Sequence, residues 1–485
     1  MSTYEDSQKT PMNRYSPYLT LLEQYLGSLD EWRSGFDRED SEQKSGLTAD
    51  IQVSNEKKSS SEKVTPSSKS TSLLPLNDPS GKRYGEILQE LTDRLKGNYP
   101  FHHPRYAGQM LKPPHPIAWL AYSLAMTINP NNHALDGGPP TSEMELDVLS
   151  QIAKMLGYSQ HLGHLTSGGT VANLEALWVA RESHPGKGVA FSPQAHYTHS
   201  RMAQVIGIEG ISLGRDTDKW PDELRQLSPS IGTIVVTIGT TGRGKIEPLH
   251  RILPVAKELG LRIHVDAAYG GFFKILAGQE GISNEPWQVL GDVDSIVIDP
   301  HKHGLQPYGC GAVLFKDPSV GKFYKHDSPY TYFTSDQLHL GEITLECSRA
   351  GATAAALWAT LNLLPLTPDG LGQILRQCRL AALDFAKEIE AHPNWTLLES
   401  PELDIVLWYH SQSDSTSELS KFHKTWFESK MNDPESPWFV SLYEMDANEF
   451  YEMHPHVITD SKTVTLLRSV FMKPEHHGGL NGLLD

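Results

Sequence analysis

Residues 231–271, IGTIVVTIGTTGRGKIEPLHRILPVAKELGLRIHVDAAYGG, decide how this chain folds. The run from Ile231 is β-rich. The stretch Pro248 to Gly260 reads as a helix that ends at a glycine. A second β-rich run, LRIHVD, follows at once, with Ile263 and Val265 alternating on a buried strand and Asp266 at its C-terminal end. A strand, a helix and a strand in that order form a crossover unit, so the two strands run parallel.

Working outward, the same alternation continues on both sides. GVAF at 188, SIVID at 295 and CGAVLF at 310 are further β-rich runs, and after Thr170 the residues Val171, Leu174, Leu177 and Trp178 recur at helical spacing. Together they predict an α/β fold with a mainly parallel sheet covered on both faces. Past about residue 365 the character changes. A helical stretch, GLGQILRQCRLAALDFAKEIEAH, precedes strand-like WTLLES, DIVLWYH and TVTLLRSVF, which reads as a small C-terminal α+β domain. The polar run 37–72 cannot bury enough apolar surface to offset its ordering entropy and reads as a flexible linker. Before it, Leu19, Leu22, Tyr25, Leu26 and Leu29 predict a short amphipathic helix. The expected division is therefore 1–79 (helix and linker), 80–365 (large domain) and 366–485 (small domain). No internal repeat occurs.

Bulk properties narrow the function classes. The 485 residues carry a formal net charge of −17, which argues against non-specific nucleic-acid or anionic-membrane binding. The three cysteines, Cys310, Cys347 and Cys378, are too few and too scattered for a disulfide framework, and a reducing, cytoplasmic setting is expected. MSTYEDSQKT has no basic stretch followed by an apolar run, so no signal peptide is expected. The longest apolar stretch, Ala350 to Leu366, is short for a bilayer span and reads as a buried helix.

Four segments at strand ends or helix starts carry the chemistry. Thr166-Ser167-Gly168-Gly169-Thr170 opens a helix, where glycines allow close backbone approach and unpaired N–H groups attract an anion. Alone it is also an ordinary capped helix start. In His264-Val265-Asp266-Ala267-Ala268-Tyr269-Gly270-Gly271 the strand-end Asp266 could hold a cationic ring nitrogen, and small Ala268 could let a flat ring lie close; alone, Asp266 is equally a turn aspartate. In Asp299-Pro300-His301-Lys302-His303-Gly304, Lys302 ends a buried strand, where desolvation makes an amine nucleophilic toward aldehydes, whereas an ordinary loop lysine would be solvated. His196 in Ala195-His196-Tyr197 could stack on an aromatic ligand, although a lone histidine is more often structural. In combination they are the parts a pyridine aldehyde phosphate needs: phosphate cradle, ring stack, pyridinium partner and imine former.

Through TSGGTVAN (166–173), QAHYTHS (194–200), TIGTTGRG (237–244), HVDAAYGG (264–271) and DPHKHG (299–304) the chain resembles the group II pyridoxal-phosphate-dependent decarboxylases, which include glutamate, cysteine sulfinate, tyrosine, aromatic-amino-acid and diaminobutyrate decarboxylases. The resemblance covers roughly residues 80–350, the C-terminal part only by layout, and residues 1–75 not at all. It implies pyridoxal-phosphate fold type I, a homodimer with shared active sites, and decarboxylation of an acidic or aromatic L-amino acid. It further implies that Lys302 binds the pyridoxal 5'-phosphate aldehyde, Asp266 pairs with the ring nitrogen, and His196 and Ala268 flank the ring. Gly168, Gly169, Thr170 and His301 would lie at the phosphate and Thr240 near the ring or histidine. Asp299 departs from the asparagine of the animal enzymes, which weakens the case for a direct phosphate contact. Tyr330, in Ser328-Pro329-Tyr330-Thr331-Tyr332-Phe333, matches a loop tyrosine that returns a proton to the substrate; an aromatic packing loop is the plainer reading. Arg349, Gln109 and Asn132, with Asn131 and His133 beside the last, would line the substrate site.

The same parts could run an aldehyde-forming oxidative decarboxylation or a carbon–carbon cleavage. From other classes, a metal-dependent hydrolase is prompted by the 22 histidines but lacks HExxH-type spacing, and a binding protein on a relic fold would carry the residues without turnover.

Overall fold

The computed structural model describes residues 23–24, 27–28, 82–134, 137–325 and 344–484. The linker at 37–72, nearly all of the expected N-terminal helix, and Tyr330 with its loop lie outside these residues. The chain divides into two compact units, Met1–His103 and Pro104–Asp485. In the first, Glu23, Gln24, Gly27 and Ser28 are helical, and the helix Lys82–Leu95 pairs its charges along its own surface, as in Arg94 with Glu90.

Among the described residues, the second unit contains two sheets. The larger has seven strands, β1 (Leu162–Thr166), β2 (Gly188–Phe191), β3 (Gly210–Ser212), β4 (Ile231–Thr237), β5 (Arg262–Asp266), β6 (Ser295–Ile298) and β7 (Gly311–Phe315), in the order β1-β7-β6-β5-β4-β2-β3. From β6 through β3 every neighbouring pair is parallel. Strand β7 is antiparallel to both β6 and β1, so it alone is reversed. Strands β4 and β6 are buried at every residue because helices cover both faces, which explains their continuous apolar character. The helix Leu249–Glu258 is the crossover between β4 and β5, and the chain leaves it through Gly260 at φ +66°.

The smaller sheet is antiparallel, in the order β10-β11-β9-β8, with β8 (Trp395–Leu397), β9 (Ile405–His410), β10 (Ser441–Asp446) and β11 (Thr463–Val470). The helix Leu371–Ala391 precedes it and packs Ala381, Ala382, Phe385 and Ile389 into a core with Trp408, Trp395 and Phe471. The apolar run at 350–366 forms the helix Gly351–Leu363, and among the described residues no helix is long and apolar enough to cross a membrane.

Three strands escaped the sequence reading. In β1, LGHLT, all five residues are buried, but His164 interrupts the apolar run; its Nε2 lies 2.8 Å from Glu175 Oε2 on the helix Gly169–Ser183, both groups shut off from solvent. The edge strand β3 is three residues long and largely exposed, and β10 (SLYEMD) alternates too weakly to announce itself.

Candidate active site

Strands β1, β2, β4, β5 and β6 point the same way, so their C-terminal ends reach one edge of the sheet. Ligands of open α/β sheets sit beyond such an edge. The segments that leave these strands enclose a cavity of about 350 Å³, lined among others by Gly168, Gly169, Thr170, His196, Asp266, Ala268, Asp299, His301 and Lys302. Nine of the predicted residues, drawn from four separate segments, thus share one space.

Strand β1 delivers the helix Gly169–Ser183, whose first turn has N–H groups without intrahelical acceptors. Gly168 sits at φ +149°, which side chains rarely permit, and a Cβ there would stand 3.2 Å from His301 Cε1. A Cβ on Gly169 would meet Asp299 Oδ2 at 2.7 Å. The backbone is therefore bare where an anion would rest.

Strand β5 delivers Asp266. Its Oδ1 accepts from Ala268 N at 3.1 Å and its Oδ2 from His199 Nε2 at 2.8 Å. Burial alone would raise its pKa, but the hydrogen bond and charge of His199, with Lys302 beyond, outweigh burial and hold the carboxyl well below the usual range. Below it His264 bridges Ser295 Oγ (2.9 Å) and Asn173 Oδ1 (2.7 Å); burial brings its pKa down to about 3.

Strand β6 delivers the turn from Asp299 to Gly304, tied to the start of β7 by His301 N–H on Cys310 O at 3.0 Å. Lys302 Nζ lies 3.1 Å from Asp299 Oδ2, so the amine has an acidic partner rather than the unaccompanied apolar setting expected of a strand-end lysine. His301 Nε2 approaches the same oxygen at 3.4 Å, while His301 Nδ1 and Asp299 Oδ1 are buried without partners. Just beyond, Leu305 is buried at φ +63°, a conformation costing about 1–2 kcal/mol for a residue with a Cβ.

After β2, His196 Nδ1 accepts from the Thr198 N–H at 3.2 Å and lies 2.7 Å from its hydroxyl. That places the imidazole proton on Nε2. Burial lowers the His196 pKa, with Lys302 adding and Asp266 opposing, so the ring is neutral near pH 7.

Other predicted residues stand apart. Thr240 is fully buried and its hydroxyl accepts from Lys245 N at 3.1 Å; Gly239 and Thr241 on either side line the cavity in its place. Arg349 lines a neighbouring cavity of about 210 Å³ with Tyr122, Tyr308 and Ser348. Its guanidinium is bound by Glu145 and by the carbonyls of Leu165 and Asn132, so it is not a free cation awaiting a carboxylate. Asn132 spends both amide N–H groups on Thr141 O and Glu145 Oε2. Asn131 bonds Ser348, His133 lies 3.1 Å from Cys347 O, and Gln109 is exposed outside both cavities. The sequence reading assigned no role to His199 or Glu145. The one signal was a second histidine within QAHYTHS; nothing pointed to Glu145.

These residues fit pyridoxal 5'-phosphate: a bare helix N-terminus and orphaned His301 Nδ1 for the phosphate, an ionised carboxylate for the ring nitrogen and an amine for the aldehyde. Two carboxylates near the turn would repel a phosphate: Asp299, which Lys302 and His301 both face, and Glu346, whose Oε2 accepts from Ser167 N at 2.8 Å.

Among solved structures, mouse CSAD in its apo form superposes with a TM-score of 0.71 at 18% identity, covering 87% of this chain and 89% of that one. Tryptophan decarboxylase of Catharanthus roseus with L-tryptophan gives 0.72 at 16%, covering 98% of each. At such identities the likeness concerns the fold, type I of the pyridoxal-phosphate enzymes. In sequence, L-tyrosine decarboxylase of Enterococcus faecium is 27% identical over 68% of this chain and 73% of its own length. L-aspartate decarboxylase of Thermococcus kodakarensis is 29% identical over 69% and 86%. The model of the pyridoxal-dependent decarboxylase conserved domain matches residues 70–410, and with that stretch holding the whole cavity lining, the chain belongs to the pyridoxal-dependent decarboxylases.

Proposed function

We propose that this pyridoxal-phosphate-dependent amino-acid decarboxylase acts on an acidic or aromatic L-amino acid at the cavity shared by Lys302, Asp266 and His196, releasing the amine and CO2. The observation that carries the reading is the meeting of amine, ionised carboxylate, neutral imidazole and helix N-terminus in one space of about 350 Å³. When bound, the cofactor supplies an electron-withdrawing ring that takes up the electrons freed as CO2 departs. Lys302 Nζ, in the cavity, would hold the aldehyde. Asp266, ionised, keeps the ring nitrogen protonated. His196 and Ala268 hold the ring between them, and the Gly168–Thr170 turn and His301 hold the phosphate. Asp299 orients Lys302 rather than touching phosphate, and Thr240 braces the loop whose neighbours line the cavity. Tyr330, outside the described residues, returns a proton to Cα, with His196 Nε2–H as the second donor. Arg349, held by Glu145 and backed by the Asn132 carbonyl, forms a wall of the substrate site. The names of the tyrosine and aspartate relatives support both side-chain classes.

We further propose a cytoplasmic homodimer. The unpaired state of all three cysteines supports the compartment. The helix Pro116–Met126 supports the dimer, because it leaves Trp119, Leu120 and Leu124 40–72% exposed, an apolar face of the kind that marks interfaces. The parts proposed as separate domains meet near residue 365.

The test is a screen of cofactor-loaded protein against the common L-amino acids, following CO2, amine, aldehyde and peroxide, run beside Lys302→Ala. Expected are CO2 and one amine from the wild type, a borohydride-trapped adduct on the Lys302 peptide, and neither from the variant. Full activity in Lys302→Ala overturns the assignment; aldehyde with peroxide moves the reaction to the oxidative class.

A further inference from the structure

His199 touches nothing in the cavity, yet it is the closest partner of the carboxylate that does. It sits on the helix Thr198–Val205, fully buried, with its ring between Phe191 (centroids 6.2 Å) and His264 (6.1 Å). Its Nε2 lies 2.8 Å from Asp266 Oδ2, and its Nδ1 is buried without a partner. A buried histidine with one nitrogen orphaned and the other on a carboxylate is costly unless that single bond matters. In a purely packed site, a leucine or phenylalanine of similar volume would serve better. Whether the ring is neutral or protonated, Nε2 is the donor in this contact, because a carboxylate oxygen such as Asp266 Oδ2 only accepts.

We propose that His199 is the positioning residue for Asp266: from outside the cavity its Nε2–H fixes and ionises the carboxylate that holds the cofactor ring nitrogen. This rests on the reading of Asp266 given above. Without His199, Asp266 would keep one backbone donor, Ala268 N at 3.1 Å, and could swing about it. The other ionisable groups facing Asp266 do not replace it. His264 is neutral and engaged by Ser295 and Asn173. Lys302 is paired with Asp299 and is committed to the aldehyde. Glu247 opposes ionisation of Asp266, and His196 is turned to Thr198.

The test uses holoenzyme carrying cofactor labelled with ¹⁵N in the ring, and the variants His199→Leu, His199→Asn and His199→Gln. Only glutamine reaches far enough to present an N–H where Nε2 stands. Expected for Leu and Asn are a ring-nitrogen signal shifted toward the unprotonated form, a changed pH titration of the visible absorbance, and kcat down about 10- to 100-fold with KM little changed. Gln should recover most of the signal and rate. Asn covers the case in which Leu does not fold, since it keeps a polar group in the pocket. A protonated ring nitrogen and wild-type kcat in folded Leu or Asn variants overturn the proposal, as does failure of Gln to recover either. Asp266→Asn separates the two claims. If it leaves the nitrogen signal unmoved, the reading of Asp266 fails; if it moves the signal and the His199 variants do not, only the role of His199 fails.

Discussion

Two buried aspartates, one beside each sheet, carry the same pair of atoms to different ends. Asp266 closes β5 of the parallel sheet and Asp404 precedes β9 of the antiparallel one. Each sets its Oδ2 near a histidine Nε2, His199 at 2.8 Å and His303 at 3.1 Å. The difference lies in the remaining oxygen and what it faces. Asp404 Oδ1 accepts from the Tyr269 hydroxyl at 2.6 Å, its carbonyl accepts from Phe471 N, and no part of it reaches solvent. Asp266 lines the cavity. Asp404 thereby pins both the HVDAAYGG turn, through Tyr269, and the DPHKHG turn, through His303, against the small sheet. A carboxylate closed on every side is structural, and one left with an open side is available for chemistry.

That contrast can be broken in stages. The largest effect is expected at Asp404→Ala, which leaves the buried Tyr269 hydroxyl without its acceptor and removes the carboxylate 3.1 Å from His303, and should cost about 3–5 kcal/mol of stability, read from denaturant midpoints. Loss of activity with unchanged stability would place Asp404 with Asp266 and erase the distinction. Asp266→Asn should do the reverse. A drop in kcat on the order of 10²–10³-fold is expected from removing a preorganised charge, with the midpoint close to wild type.

A third carboxylate sharpens the comparison because it has no histidine. Glu247 is buried after β4, accepts from Thr237 N and leaves Oε1 unpartnered; burial raises its pKa to about 7, against the hydrogen bonds from Thr237 and Ser192. A carboxyl whose folded pKa is raised contributes most below its unfolded pKa near 4.5, and that contribution is lost as pH climbs through about 7. Between those values the folded state binds the extra proton, so stability falls with rising pH, by at most about 3 kcal/mol. Glu247→Gln removes the slope. Its denaturant midpoint should gain on the wild type from pH 4.5 to 7 and hold that gain above, and a gain in the opposite direction would refute the assignment.

The legibility of the molecule followed how local each signal was. The β4–helix–β5 unit was readable because buried parallel strands carry unbroken β-branched runs and the helix closes on a glycine. Strand β1 was not, since His164 looks polar until Glu175, eleven residues on, is folded beside it. The cavity residues were readable where a strand end and a distinctive residue type coincide, as at Asp266 and Lys302. Position in the sequence did not disclose that the Thr240 hydroxyl accepts from Lys245 N within its own loop, or that the Asn132 amide donates to Thr141 and Glu145.

From residues alone came the alternation of strand and helix, the types of group needed for a pyridine aldehyde phosphate, and their order along the chain, because each depends on neighbours a few positions away. Folding alone decided that Arg349 meets Glu145, 204 positions earlier, and that His199 stands behind Asp266, 67 positions on. Those partnerships set charge and orientation, and they arise where segments distant in sequence are buried against each other, so no local pattern encodes them.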